Sequence, residues 1–193
     1  LVHRQIAWVN ALRLSLRGEP DDGSVAPLVP TDERASLAAA ANPAAWIAQQ
    51  QSEDLTRLEA AGALAPNARL LIELTLSKLT DHQGGCERIK NTAFPDRVSW
   101  FSRVTAWGVA AALAITMIGP SNQFDVMDMV LIPLFMAVFV LVEKLGSELK
   151  DAFEGAANDT PMSAICRTIE IDLRQVLGEP APAPAEPIDD VLM

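Results

Sequence analysis

Asp81, His82, Cys86 and Glu87 are the densest group of potential ligands in the sequence. His82 and Cys86 stand four residues apart, a spacing that can put two side chains on one helical face. A structural zinc site needs four ligands, and no second Cys/His pair supplies the remainder. There is also no Gly-rich phosphate loop, no nucleophile elbow and no metal pair on one helix face. No catalytic, cofactor-binding or metal-ligating residue is assigned, no cofactor is expected, and the chain reads as a non-enzyme. Gly84 and Gly85 are expected to interrupt the helix between His82 and Cys86, as a polar junction whose glycines permit close packing. Glu87 and Arg88 lie just before an apolar segment, where unpaired charge is costly. A structural ion pair, or a pair with a neighbouring subunit, is their expected use. Lys90, Asn91 and Thr92 supply turn and capping groups, and Phe94-Pro95 opens the apolar part.

The elements around this stretch read as helices, and no alternating strand pattern of useful length occurs, so the class is all-α. Leu1–Arg17 carries Val2, Ile6, Val9, Leu12 and Leu16 at helical spacing, with His3, Arg4, Arg13 and Arg17 off that stripe as a solvated face. Gly18 and Pro20 stop it. After the loop Glu19–Pro30, Thr31 is expected to cap a short helix with Asp32 and Glu33 in its first turn. Asn42-Pro43 ends that helix and starts another, Pro43–Ala61, anchored by Ile47, Leu55 and Leu58 and closed by Gly62. Pro66 and Asn67 open a third segment with Leu70, Leu71, Leu74 and Leu79 as its apolar face. Near the C-terminus, Asn158, Asp159 and Thr160 precede a helix over Pro161–Leu177, ended by Gly178 and Pro180. Glu179–Pro187 is rich in Pro and Ala and reads as an extended linker.

Two apolar runs follow the junction. Val104–Ile118 carries no charge, and Met129–Val142 is likewise uncharged. Each strict run falls short of the ~20 apolar residues that span a bilayer, and each approaches that length when extended through its edge charges. Arg103 can snorkel, while Trp100 and Trp107 suit an interfacial belt. Gly119-Pro120-Ser121-Asn122 reads as the connecting turn. Lys and Arg flank both outer ends but are absent from the turn, so both ends of the hairpin are expected in the cytoplasm. Pro133 is expected to kink the second helix. The domain reading is a cytosolic helical region over 1–92, a transmembrane hairpin over 93–146, cytosolic C-terminal helices over 147–178 and a disordered tail over 179–193.

The 193 residues are half apolar yet carry a net charge of -10. That acidity, without a basic stripe, excludes nucleic acid as a partner. Two cysteines are too few for a disulfide framework. The chain opens at Leu1 in helical phase with no capping residue ahead of it, so it is expected to begin inside a longer protein.

Gly84–Pro95, read as GGCERIKNTAFP, resembles the junction motif of the bacterial bestrophin-like proteins, as does Leu79-Thr80-Asp81 ahead of it. Asn158–Gly178 is similar to the segment after that family's last membrane helix. The opening HRQIAWVNALRLSLRG resembles the helix after its second span. The resemblance implies a pentameric ion channel of the bacterial inner membrane, passing chloride passively or, in some bacterial members, monovalent cations. Inorganic ions, the lipid bilayer and further copies of the chain are then its partners. It also implies four membrane helices per subunit, of which Val98–Ile118 and Met129–Val142 would be the third and fourth. The first two, with the family's apolar neck, are not in this sequence, so a non-conducting membrane-anchored interaction protein is the rival reading. By register from the junction, the cytosolic pore constriction falls at Asn67, where a polar side chain would weaken a dewetting barrier. Ala93 stands where the family usually has proline, and Asp151-Ala152-Phe153-Glu154 departs from its usual Asp-Pro-Phe-Gly. The acidic calcium cluster of animal members has no counterpart.

Overall fold

A computed structural model describes residues 1–92, 96–117, 126–148, 152–153, 155 and 159–187. All regular structure among them is helical: α1 Val2–Arg17, α2 Arg34–Ala39, α3 Pro43–Ala60, α4 Pro66–Asn91, α5 Asp96–Met117, α6 Val126–Glu148 and α7 Met162–Leu177. A single 3-10 turn, Ala26–Leu28, precedes α2. The chain divides into two compact units, one formed by Leu1–Asn91 with Ala152–Met193 and the other by Thr92–Asp151.

The first unit is built around α1. Eleven of its sixteen residues are buried, and α3, α4 and α7 all pack on it. A helix buried on nearly all sides belongs at the centre of a bundle. Ile6, Leu16, Ile47 and Leu55 are its largest fully buried side chains. Each stabilises the fold by about 1.5–3 kcal/mol through apolar burial. The burial of α1 corrects the expected solvated face at Arg4 and Arg13, while His3 is exposed and Arg17 half-buried. Arg4 is only 6% exposed and Arg13 is buried as well. A distant set of carboxylates makes this tolerable. Arg4 donates from Nη1 and Nη2 to Glu33 at 2.5 and 2.7 Å, and from Nε to Asp54 at 2.7 Å. Arg13 donates to Asp22 at 2.6 Å.

The helix ends follow the sequence closely. Gly18 ends α1 at φ 67° and Gly178 ends α7 at φ 70°, the left-handed region that side-chain-bearing residues avoid. Asn42 caps α3 by accepting from the Ala45 N–H at 3.1 Å, with Pro43 in the first helical position. Thr31 does not cap α2: that helix starts at Arg34 after Glu33, with no side-chain capping bond.

Two further expectations are corrected in α4. The helix runs without a break through Gly84 and Gly85, because glycine inside a long helix costs only about 1 kcal/mol relative to alanine. A Cβ at either glycine would meet nothing within 4 Å, so neither marks a close approach within this chain. The expected apolar face is also divided. Leu79 packs on the core, whereas Leu70, Leu71 and Leu74 are exposed, Leu71 to 67%. Periodicity gives a face; it does not say what covers it.

In the second unit α5 and α6 pack against each other. Among the described residues no helix is long and apolar enough to cross a membrane. The physical reason lies at the ends: α5 contains Asp96, Arg97 and Arg103, and α6 contains Asp128, Glu143, Lys144 and Glu148. The uncharged stretches between these residues are shorter than ~20 residues. α6 continues as helix through Pro133. The expected connecting turn at 119–122 lies outside the described residues.

Candidate functional site

The junction residues sit on the last turns of α4, and a polar network fastens them to the bundle. Gln83, the one buried residue of α4, accepts from the Trp8 indole N–H at 3.1 Å. Its amide nitrogen donates to Glu87 Oε1 at 2.8 Å and to Asn42 Oδ1 at 3.3 Å. Asn42 Nδ2 also donates to Glu87 Oε1, at 2.9 Å. One carboxylate oxygen thus gathers two amide donors and joins α4 to the N-terminus of α3, while Trp8 brings in α1. Gln83 and Glu87 are one turn apart, which lets a single helical face reach both partners. One turn further on, Lys90 Nζ donates to the Leu16 carbonyl and, at 3.3 Å, to that of Ser15. These are carbonyls left unpaired at the C-terminus of α1, where a cation is favoured.

The sequence pointed to this stretch and missed its partners. Trp8 and Gln83 gave no signal beyond their polar or aromatic type, and Asn42 read only as a helix boundary, because contacts over such separations have no spacing to read. Arg88 and Asn91 are exposed at the end of α4, and Gly84 and Gly85 face outward. Pro95 lies outside the described residues. Asn67, exposed in the first turn of α4, is at the opposite end of that helix from the network.

Asp81 and His82 are exposed, and Cys86 is half-buried against the core. Among the described residues no three His, Cys, Asp or Glu side chains are placed to hold a metal ion. Both cysteines are free. Burial pushes the Cys166 thiol up to about 11, and its Sγ donates to the Val9 carbonyl at 3.4 Å. The network positions α1, α3 and α4 against one another.

The second unit presents a different kind of surface. Trp100, Phe101, Trp107 and Ile115 of α5 are exposed, as are Leu134, Phe135, Val138 and Leu141 of α6. Trp107 is 65% exposed. Large apolar side chains gathered on α5 and α6 in this way are the mark of an interaction surface.

The sequence profile described as Bacterial/Fungal Bestrophin protein matches residues 1–175. The chain belongs to the bestrophin family. It is 29% identical over 189 residues to the voltage-dependent anion channel-forming protein YneE of Salmonella typhi, covering 98% of this chain and 61% of that one. It is 31% identical to the voltage-dependent anion channel-forming protein mll4386 of Mesorhizobium japonicum, over 78% of this chain and 48% of that one. The crystal structure of a bacterial bestrophin homolog from Klebsiella pneumoniae superposes with a TM-score of 0.79 at 26% identity. That match covers 93% of this chain and 67% of the homolog. The chain thus has the all-α bestrophin fold and spans about three-fifths of the length of YneE. The Glu87 network lies within the residues that the family profile matches.

Proposed function

We propose that this chain is a subunit of an anion channel that passes chloride passively across the bacterial inner membrane. The exposed apolar surface of α5 and α6 is the observation that carries this reading. Lipid and neighbouring helices are the surroundings in which side chains such as Trp107 and Ile115 stay out of water. Family membership and the names of YneE and mll4386 agree with it.

In this reading α5 and α6 are the third and fourth membrane helices. Their charged ends reach the interface, and both ends of the hairpin are cytoplasmic. The chain works as a homo-pentamer, and neighbouring copies cover the exposed Leu70, Leu71 and Leu74 of α4. Asn67 faces the cytosolic constriction, where its amide leaves the barrier to water weaker than an apolar side chain would. The junction stretch of Gly84, Gly85, Glu87, Arg88, Asn91 and Pro95 has a structural role, and Pro133 bends α6 within the bilayer. Reconstitution of the detergent-purified protein into planar bilayers tests the proposal. Ionic current across a range of salts is expected; its absence in all of them would leave a membrane anchor as the better account. Native mass spectrometry should show pentamers, and a dominant monomer or dimer would contradict the assembly.

A further inference from the structure

A hollow of about 430 Å³ opens beside the C-terminal half of α1. Its floor is Ala11, Leu14, Val25 and Leu37, all buried. Three charged side chains stand at its exposed rim. Glu19 and Asp21 come from the loop after α1, and Arg34 comes from the first turn of α2. A concave apolar site of several hundred Å³ with a few polar groups is the usual form of a small-molecule pocket.

The rim charges select the ligand class. An apolar amine would meet Arg34, and an apolar carboxylate would meet Glu19 and Asp21. A molecule carrying both head groups on an apolar body suits the two elements together. The side chains have capacity for it. Arg34 uses Nε on the Val29 carbonyl at 3.3 Å, which leaves its terminal nitrogens for a carboxylate. Asp21 uses one oxygen on the Gly23 N–H at 3.0 Å and keeps the other. Glu19 has only a loose approach to Arg13, at 3.9 Å.

We propose that this pocket binds an apolar α-amino acid, with the side chain on the Leu14–Leu37 floor, the ammonium toward Glu19 and Asp21, and the carboxylate toward Arg34. The site lies within the helical unit, so the proposal stands or falls independently of ion conduction.

Isothermal titration of the detergent-purified protein with L-phenylalanine tests it, with phenethylamine and hydrocinnamate as probes lacking one head group each. Saturable binding of phenylalanine is expected, with both truncated probes weaker by about tenfold, the loss expected when one charge-assisted contact goes. Arg34→Ala should weaken phenylalanine and erase its advantage over phenethylamine. The pair Glu19→Gln and Asp21→Asn should erase its advantage over hydrocinnamate. Ala38→Trp, on an exposed wall residue, should fill the hollow and abolish binding. These positions are on the surface, so an unchanged melting temperature without ligand confirms folding. No saturable binding at millimolar phenylalanine would overturn the proposal. So would equal binding of all three probes, or affinities that the variants leave unchanged.

Discussion

Asn42 donates a 2.9 Å hydrogen bond to the carboxylate of Glu87, 45 residues further along the chain. The same Asn42 side chain caps α3 through its oxygen. Its two ends therefore do two jobs, starting one helix and fixing another. Asn42→Ala should cost about 1–2 kcal/mol, since a lost cap alone is worth roughly 1 kcal/mol. Glu87→Ala should cost a similar amount, because it leaves the amide of buried Gln83 with only its longer bond to Asn42. A double-mutant cycle between positions 42 and 87, read from denaturant unfolding, should give a coupling of about 0.5–2 kcal/mol. Strict additivity would show that the network is geometric only.

Arg4 is the charge on which the bundle most depends. Its guanidinium is buried among Glu33 and Asp54, whose side chains are 17% and 21% exposed. Arg4→Met would take from Glu33 its bidentate partner and leave Asp54 with only the exposed Arg57. A loss of about 2–4 kcal/mol is expected, somewhat below the range for a fully buried broken pair. Arg57→Ala serves as the contrast, since the Arg57 side chain is 62% exposed and pairs with Glu53 and Asp54 in water. It should cost under about 1 kcal/mol. Equal melting temperatures for the two variants would contradict the buried role of Arg4.

Acid should reach the same contacts. The hydrogen bond from Arg4 holds the Glu33 carboxyl below its ordinary value against the cost of desolvation. For Asp22, burial pushes upward, but hydrogen bonds from Ser24 and Arg13 prevail and bring it to about 2. Both groups are more acidic folded than unfolded. Their stabilisation is therefore fully present above the unfolded carboxylate values of about 4, and it is lost as pH falls through the folded ones. Melting temperature should stay level from neutral pH to about 5 and then fall steeply. Glu33→Gln should lower stability at neutral pH and flatten the acid limb. A variant with the same acid slope as the wild type would mean that other groups carry it.

The all-α class, the C-terminal ends of α1 and α7 and the start of α3 at Asn42-Pro43 were legible because each is written locally. Gly18, Gly178 and Asn42-Pro43 act on their own few neighbours. The site was only half legible. The junction stretch announced itself, yet Glu87 is defined by Asn42, Gln83 and, through Gln83, Trp8, which come from three helices. The burial of Arg4 and Arg13 was invisible for the same reason. A charged residue on a helix reads as solvated until its distant carboxylates are placed. Gly84-Gly85 misled in the other direction: paired glycines suggested a break, yet each costs a 26-residue helix only about 1 kcal/mol.

The two thiols should separate cleanly in reactivity. Cys166 is buried and held as the protonated thiol to about 11, whereas Cys86 is only half-buried. Because the thiolate is the nucleophile, iodoacetamide at neutral pH should label Cys86 first and Cys166 only on unfolding. Mass mapping of the alkylated peptides reads this directly. Early labelling of Cys166 in the folded protein would show that α7 opens away from α1.

The most direct measurement of the central claim is the reversal potential of the reconstituted protein in a planar bilayer under an asymmetric potassium chloride gradient. The account predicts a steady current that reverses near the equilibrium potential of chloride. Reversal near that of potassium, or no current at all, would contradict an anion channel.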